Sequence, residues 1–433
     1  MANLKRTLLR LARRSAALLL LPVVALTTVP TASATPRLTV IYTFALFGDG
    51  NSPQAALIVD ATGALIGTTY AGGDFNVGTA FKLAPSATGR RWKKTELRSF
   101  GNGKGDNPAA ALIAGPDGTL YGTTEFGGAF GKGTVFSLTP PPLGTKRWKL
   151  TVLHSFAGTD GERPVAGLIM DAEGALYGTT RFGGTAAKGT VFRLTPPAEG
   201  ETRWKQRVLH SFLGGTDGEE PYASLIADQN GVLYGTTFYG GASSGTVFKL
   251  APPAPGKKRW KITILHSFSG NEGNRPYARL VAGPDGTLYG TTYYGGTAGD
   301  GTVFSLTPPQ AGLSQWTLKT LYDFAGGVNG ARPYAGLIRD QAGALFGTTY
   351  LGGASDMGTV FRLRPPVSEG QPWKLTVLHH FAGGNDGERP AADLVADAAG
   401  VLYGNTVWGG AENSGVVYKV TGSGFLAGGA LAR

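Results

Sequence analysis

Hydrophobic and polar positions along this chain fall into short apolar runs separated by turn residues, and the runs return in one order. Between Pro221 and Phe268 they read "PYASLIAD", "VLYGTT", "GTVFKLAP" and "WKITILHSF". Each is rich in Val, Ile, Leu, Thr, Tyr and Phe, which suit a pleated, packed surface, so four β-strands are expected per unit. Asp228 and Gly231 bracket the first connection, and "DAEG" (Asp171 to Gly174) and "DQAG" (Asp340 to Gly343) repeat it. An acidic side chain bonds the amides of its own turn while Gly takes the positive φ, which predicts a tight hairpin. No stretch has a helical period. Alternation within the strands is imperfect: Trp260, Ile262, Ile264, His266 and Phe268 share one side of the fourth run, yet Leu265 is apolar on the other. Burial on both faces is expected where small sheets stack face to face.

The unit recurs seven times. "GTT" begins at Gly67, Gly122, Gly178, Gly235, Gly290 and Gly347, and Gly404 heads "GNT", at spacings of 55, 56, 57, 55, 57 and 57 residues. A four-stranded meander repeated radially is a β-propeller. Strands one to three occur seven times, but only six fourth strands follow them. After "GVVYKVTG" (Gly415 to Gly422) none remains; the seventh is "RLTVIYTF", placed at residues 37–44. Displacing one strand to the opposite end has no use in a linear array, whereas pairing it into the last blade closes a ring and removes the exposed edges. The expected fold is therefore all-β: one seven-bladed propeller of four-stranded antiparallel blades over residues 35–422, closed by the N-terminal strand and followed by a short flexible tail, residues 423–433. The fourth strand is assigned to the outside and the Pro-x-Ala-x-Leu-Ile-x-Asp segment to the central channel.

The signature "LYGTT-x-x-GG…GTVF-x-L-x-PP…W-K…LHSF-x-G" resembles the GloVer tandem repeat of exported bacterial proteins with varied C-terminal anchors. The resemblance covers nearly all of the chain after residue 34 and implies an exported, surface-associated protein, with no established activity to carry over. From the C-terminal segment, the usual anchor is not expected here. Kelch propellers are a more distant likeness, through the Gly-Gly doublet after strand two; their aromatic spacing differs.

Residues 1–34 read as an export signal. Lys5, Arg6, Arg10, Arg13 and Arg14 precede an apolar run from Ala16 to Leu26, and Ala32-Ser33-Ala34 supplies a small-x-small cleavage pattern. The run is short for a membrane span. Cleavage after Ala34 and a secreted or periplasmic address are expected, with no membrane span in the mature chain. There is no cysteine, which excludes disulfides, cysteine nucleophiles and Cys-based metal sites. The formal charge is +11, but residues 1–34 hold five of the 40 Lys and Arg and none of the 29 Asp and Glu, which leaves +6. Many of the remaining cations flank the recurring tryptophans ("GRRWKK", "TKRWK", "GKKRWK"), a basic rim suited to anionic polymers. No nucleic-acid motif is present, and nucleic acid is not an expected partner.

Most chemistry-bearing side chains are repeat-equivalent, which favours structural roles. His154, His210, His266 and His379 occupy one place in strand four, and Trp92, Trp148, Trp204, Trp260, Trp316 and Trp373 open that strand, where packing between blades is expected. No Ser-His-Asp set, zinc motif or EF-hand spacing is present, so no catalytic residue, metal or cofactor is assigned. The loops from each outer strand to the next inner strand end "DGNSP", "KGDNP", "DGERP", "DGEEP", "EGNRP", "NGARP" and "DGERP". They are expected on one face with the Gly-Gly loops. Arg163, Arg275, Arg332 and Arg389 would stand near the channel mouth with Asp160, Asp217 and Asp386 beside them, and with Tyr222, Tyr277, Tyr334, Tyr294 and Trp408. Aromatic faces stack on sugar rings, and guanidinium grips carboxylates bidentately. These residues are the candidate ligand-binding set of a monomeric, non-catalytic propeller that binds a glycan or a cell-surface protein. The alternatives are salt bridges between blades, or a polysaccharide lyase or hydrolase working at the same mouth. Asp106, Glu125 and Glu220 break the repeat pattern there.

Overall fold

A computed structural model of the chain describes residues 35–428 apart from 46–47, 90, 143–144, 146, 311–312 and 369. The export signal expected over residues 1–34, and the last five residues of the tail, lie outside the described residues.

The strands form seven four-stranded antiparallel sheets. Blade one runs from the axis outward as Ile58–Val59, Leu65–Thr69, Thr79–Pro85 and Trp92–Ser99, and blades two to six repeat that order. Blade seven holds Val395–Ala396, Leu402–Thr406 and Val416–Thr421 and takes its outer strand, Arg37–Thr43, from the other end of the chain. The closing register runs from Arg37 opposite Thr421 to Thr43 opposite Val416. The protein is a seven-bladed β-propeller. Among the described residues the only helical segments are single 3-10 turns after the outer strands of blades three, five and six.

Two local features depart from the strand pattern. The inner strands pair over only two residues, Ile226–Ala227 in blade four, where "PYASLIAD" reads as eight. Pro221 has no amide to donate. The Pro-x-Ala-x-Leu stretch lines the channel instead, and its carbonyls accept from threonines of the preceding blade, such as Thr123 Oγ1 to Ala166 O at 3.0 Å. In each outer strand a bulge adds one residue, Leu265 in blade four, between Ile264 and His266. That extra residue shifts the alternation mid-strand, so the run looks apolar on both sides.

The blades are held together by aromatic pairs. The Phe that ends each outer strand meets the Phe of "GTVF" in the next blade edge-on, with ring centroids 5.0–5.5 Å apart: Phe44–Phe81, Phe100–Phe136, Phe156–Phe192, Phe212–Phe248, Phe268–Phe304, Phe324–Phe361 and Phe381–Tyr418. All of these rings are fully buried. Such contacts add about 0.5–1.5 kcal/mol each beyond the area buried. The Gly of "GTT" makes room for them, since a Cβ on Gly67 would lie 2.9 Å from the Phe81 ring. The outer tryptophans cover the flanks: Trp204, Trp260, Trp316 and Trp373 each meet a Tyr of the preceding blade at 6.1–6.4 Å, and Trp92 of blade one meets Tyr403 of blade seven at 6.0 Å.

Tyr418 is the one tyrosine among the seven "GTVF" rings. Its hydroxyl is buried without a hydrogen-bond partner, in the space that Gly404 leaves open. Burying an unpaired hydroxyl costs about 1–3 kcal/mol. Tyr418→Phe is therefore expected to raise stability by about 1 kcal/mol, read as a higher denaturant midpoint; a lower midpoint would show that the hydroxyl is satisfied.

The first residues of the tail are docked on the propeller. Ser423 is buried, its carbonyl accepts from Arg362 at 2.8 Å and its hydroxyl donates to Gly400 O at 3.1 Å. Phe425 meets Phe346 of blade six at 5.1 Å, the place where a seventh outer tryptophan would pack. Residues 423–426 are thus part of the fold rather than a flexible extension.

Candidate functional site

The channel mouth is built from the loops that end in Pro and from the residues after "GTT". The residue before each Pro, namely Ser52, Asn107, Arg163, Glu220, Arg275, Arg332 and Arg389, has φ between 53° and 59°. Non-glycine residues seldom adopt this left-handed conformation, which costs on the order of 1–3 kcal/mol. Here it lets one peptide unit join two blades. The Arg275 amide donates to Ser244 O of the preceding blade at 2.8 Å, and its carbonyl accepts from Tyr293 of its own blade at 3.0 Å. Ser52 does the same at the closing junction, with Ser414 O and the Tyr70 amide, both at 3.1 Å. The backbone needs this position in every copy; the side chain is free to vary.

In four copies that side chain is arginine, and each guanidinium lies on aromatic rings. Arg275 is 5.2 Å from Phe238, 5.1 Å from Tyr239 and 5.2 Å from Tyr294. Arg332 is 5.3 Å from Tyr294 and 5.9 Å from Tyr293, Arg389 is 5.4 Å from Tyr350, and Arg163 is 4.7 Å from Phe126. None of the four makes an ion pair with a carboxylate among the described residues. Tyr222, Tyr277 and Tyr334 stack on one another below them, at 4.5 and 4.1 Å. Trp408 is 42% exposed on the same rim, bridged through its backbone to Glu388.

On the rest of the mouth two carboxylates, Glu125 and Glu220, are held by partners of their own. Arg181 donates to Glu220 at 3.0 Å and lies 4.6 Å from the Tyr222 ring, and Tyr70 donates to Glu125 at 2.9 Å. Burial, reinforced by Glu125, pushes the Tyr70 phenol up to about 12. Burial foremost also raises Tyr222, Tyr277 and Tyr334. All four phenols are therefore neutral hydrogen-bonding groups at ordinary pH.

The candidate aspartates are held elsewhere. Asp160, Asp217 and Asp386 accept from His154, His210 and His379 of their own outer strands at 2.8, 3.0 and 2.9 Å, and each also takes a backbone amide at 2.8–2.9 Å. They brace the loop, and Asp160 and Asp386 do not pair with Arg163 and Arg389 three residues on.

Inside the channel the repeat symmetry breaks at the fourth residue of Pro-x-Ala-x-Leu. Asp393 of blade seven pairs with Arg279 of blade five, beside Gly336 of blade six, and accepts from the Gly336 amide at 2.5 Å, and Ser224 accepts from the Gly167 amide at 2.8 Å. A Cβ on Gly336 would lie 2.9 Å from the Asp393 carboxylate, so the small residue and its polar neighbour fit as a pair. The remaining cavity, lined by these residues and the stacked tyrosines, is about 110 Å³. Small-molecule sites run to roughly 300–1,000 Å³. A ligand larger than a few waters must sit on the mouth, not within the channel. Among the described residues no cluster of His, Asp and Glu could hold a metal.

The model of the Gloeobacter/Verrucomicrobia repeat matches residues 27–148, 142–258 and 243–427. The chain belongs to this family. No curated protein matches it. Among solved structures, a candidate 6-phosphogluconolactonase from Bacteroides uniformis is 15% identical, covering 79% of this chain and 88% of that one, with a TM-score of 0.51. A candidate oxidoreductase of glucose dehydrogenase type from Thermus thermophilus is 17% identical, covering 89% and 99%, with a TM-score of 0.42. At 15% identity the likeness to the first is one of fold alone. In this chain of the Gloeobacter/Verrucomicrobia repeat, one backbone geometry recurs in all seven copies while the side chains at the mouth differ from copy to copy. Arg181, Phe238, Tyr350, Arg279 and Asp393 are the mouth and channel residues that sequence reasoning did not single out. Each stands where another copy carries an unlike residue, and that departure from the repeat is the signal that marks them.

Proposed function

We propose that this repeat protein acts outside the cytoplasm as a non-catalytic binding module, taking an acidic glycan on the mouth over blades four to seven. The observation that carries the reading is the row Arg275, Arg332 and Arg389: three guanidiniums in consecutive blades, lying on aromatic faces without acidic partners. A guanidinium resting over a ring without an acidic partner can still bond a carboxylate through its N–H groups, while neighbouring rings offer apolar faces to a pyranose. The raised phenols support binding over chemistry, since a tyrosine base needs the opposite shift.

The test replaces Arg275 and Arg332 by Asn, the residue that Asn107 already places in this backbone conformation. In affinity electrophoresis the parent is expected to be retarded by polygalacturonate and not by dextran. Arg275→Asn with Arg332→Asn should weaken that retardation at least tenfold while the unfolding midpoint stays put. Retardation equal to the parent's, or none of the parent itself on polygalacturonate, would remove the assignment. Release of unsaturated or reducing ends during incubation would favour the lyase or hydrolase instead.

A further inference from the structure

A second site lies where the ring closes, at the junction of blades seven and one. Between blades three and four, Arg207 of the outer strand reaches the strand-three-to-four loop of the next blade and donates to Lys258 O at 2.6 Å. At the closing junction the equivalent position is Thr39, which pairs with Lys419 as Arg207 pairs with Arg193 and is too short to make that contact; threonine also stands there in blades one, two, four and six. What sets the closing junction apart is Pro36, in place of the tryptophan that opens the other outer strands.

The closing junction holds a groove of about 800 Å³. The entering strand supplies Arg37 and Thr39, the neighbouring strand supplies Lys419, and the loop of blade one supplies Thr88, Arg91 and the half-buried Trp92. No acidic residue lines it, and Arg37, Arg91 and Lys419 have no acidic partner among the described residues. Three unneutralised cations converging on one space repel one another, and an anion relieves that repulsion. Two hydroxyl donors beside them suit a tetrahedral oxyanion, and the indole offers a sugar ring an apolar wall.

We propose that this groove is a binding site for a saccharide bearing sulfate or phosphate esters, separate from the mouth. It lies beside the strand-three-to-four loops, at the ends of the strands away from the loops that build the mouth, so the two sites do not compete for one surface.

The test uses calorimetric titration of the full chain with two probes, a heparin dodecasaccharide for sulfate and pentamannose phosphate for phosphate ester. At least one probe is expected to bind, and the preferred one tells which ester the groove takes. Arg37→Gln with Arg91→Gln changes two exposed side chains and should weaken binding at least tenfold. Lys257→Gln with Arg259→Gln removes the same charge from the loop of blade four and should weaken it less than threefold. Arg275→Asn with Arg332→Asn should leave it unchanged, which separates this site from the mouth. Equal losses from the groove pair and the blade-four pair would reduce the effect to general basicity and overturn the proposal. So would parent-like affinity in the groove pair, or no binding of either probe by the parent.

Discussion

A chain lacking residues 35–44 should not hold the parent's fold. Phe44 is fully buried against Phe81, Leu38 and Val40 pack on the core between blades six and seven, and Ile41 packs on the core toward blade one. Losing one fully buried and three partly buried apolar side chains amounts to roughly 5–10 kcal/mol. That is comparable to the whole stability of a typical domain, about 5–15 kcal/mol. The deletion also leaves Val416–Thr421 as an unpaired edge that invites pairing between molecules. The expected outcome is aggregation, or a circular-dichroism melt that has lost its cooperative step. A truncated chain that melts as a monomer at the parent's temperature would remove the N-terminal strand from the ring.

Ending the chain after Gly422 should cost about 3 kcal/mol. The truncation strips Phe425 from the Phe346 ring and takes away the Ser423 carbonyl that Arg362 holds. Arg362 is only 8% exposed, and burial already lowers its pKa. Without that carbonyl, a buried cation loses a charge-assisted hydrogen bond, which is worth more than a neutral one. Phe425→Ala alone should cost about 2 kcal/mol, and Phe425→Trp should cost little, because the other blades use Trp in this role. Urea midpoints measure all three. A tail truncation with the parent's midpoint would show that residues 423–426 do not contribute.

The architecture was legible because it follows from counting. Seven "GTT"-type strands against six trailing "WK…F" strands leave one place, and "RLTVIYTF" fills it. What counting missed lies where local pattern and geometry part company. "PYASLIAD" carries strand-forming residues along its length, yet near the axis the blades converge and a leading proline donates no hydrogen bond, so two residues pair. Asp160 and Arg163 are neighbours in sequence, but the loop turns between them, sending the carboxylate back to His154 and the guanidinium forward onto Phe126. The left-handed position before each proline has no signature, because Ser, Asn, Glu and Arg all occupy it. The docked tail carries no periodic pattern either. Its one clue is Phe425, the sole aromatic residue after the seventh repeat, in a chain short of a seventh outer tryptophan.

The natural chain has no cysteine, so a single introduced pair reports on proximity without interference. Thr39 and Lys419 stand directly opposite each other. Facing residues of an antiparallel pair have Cα atoms about 4.5–5.5 Å apart, within the range a disulfide spans. The decisive measurement is oxidation of the Thr39→Cys, Lys419→Cys protein, followed by non-reducing mass analysis of its proteolytic peptides. Closure of the ring predicts one intramolecular bond joining the two ends of the sequence in nearly every molecule. Free thiols after oxidation, or bonds only between molecules, would contradict it.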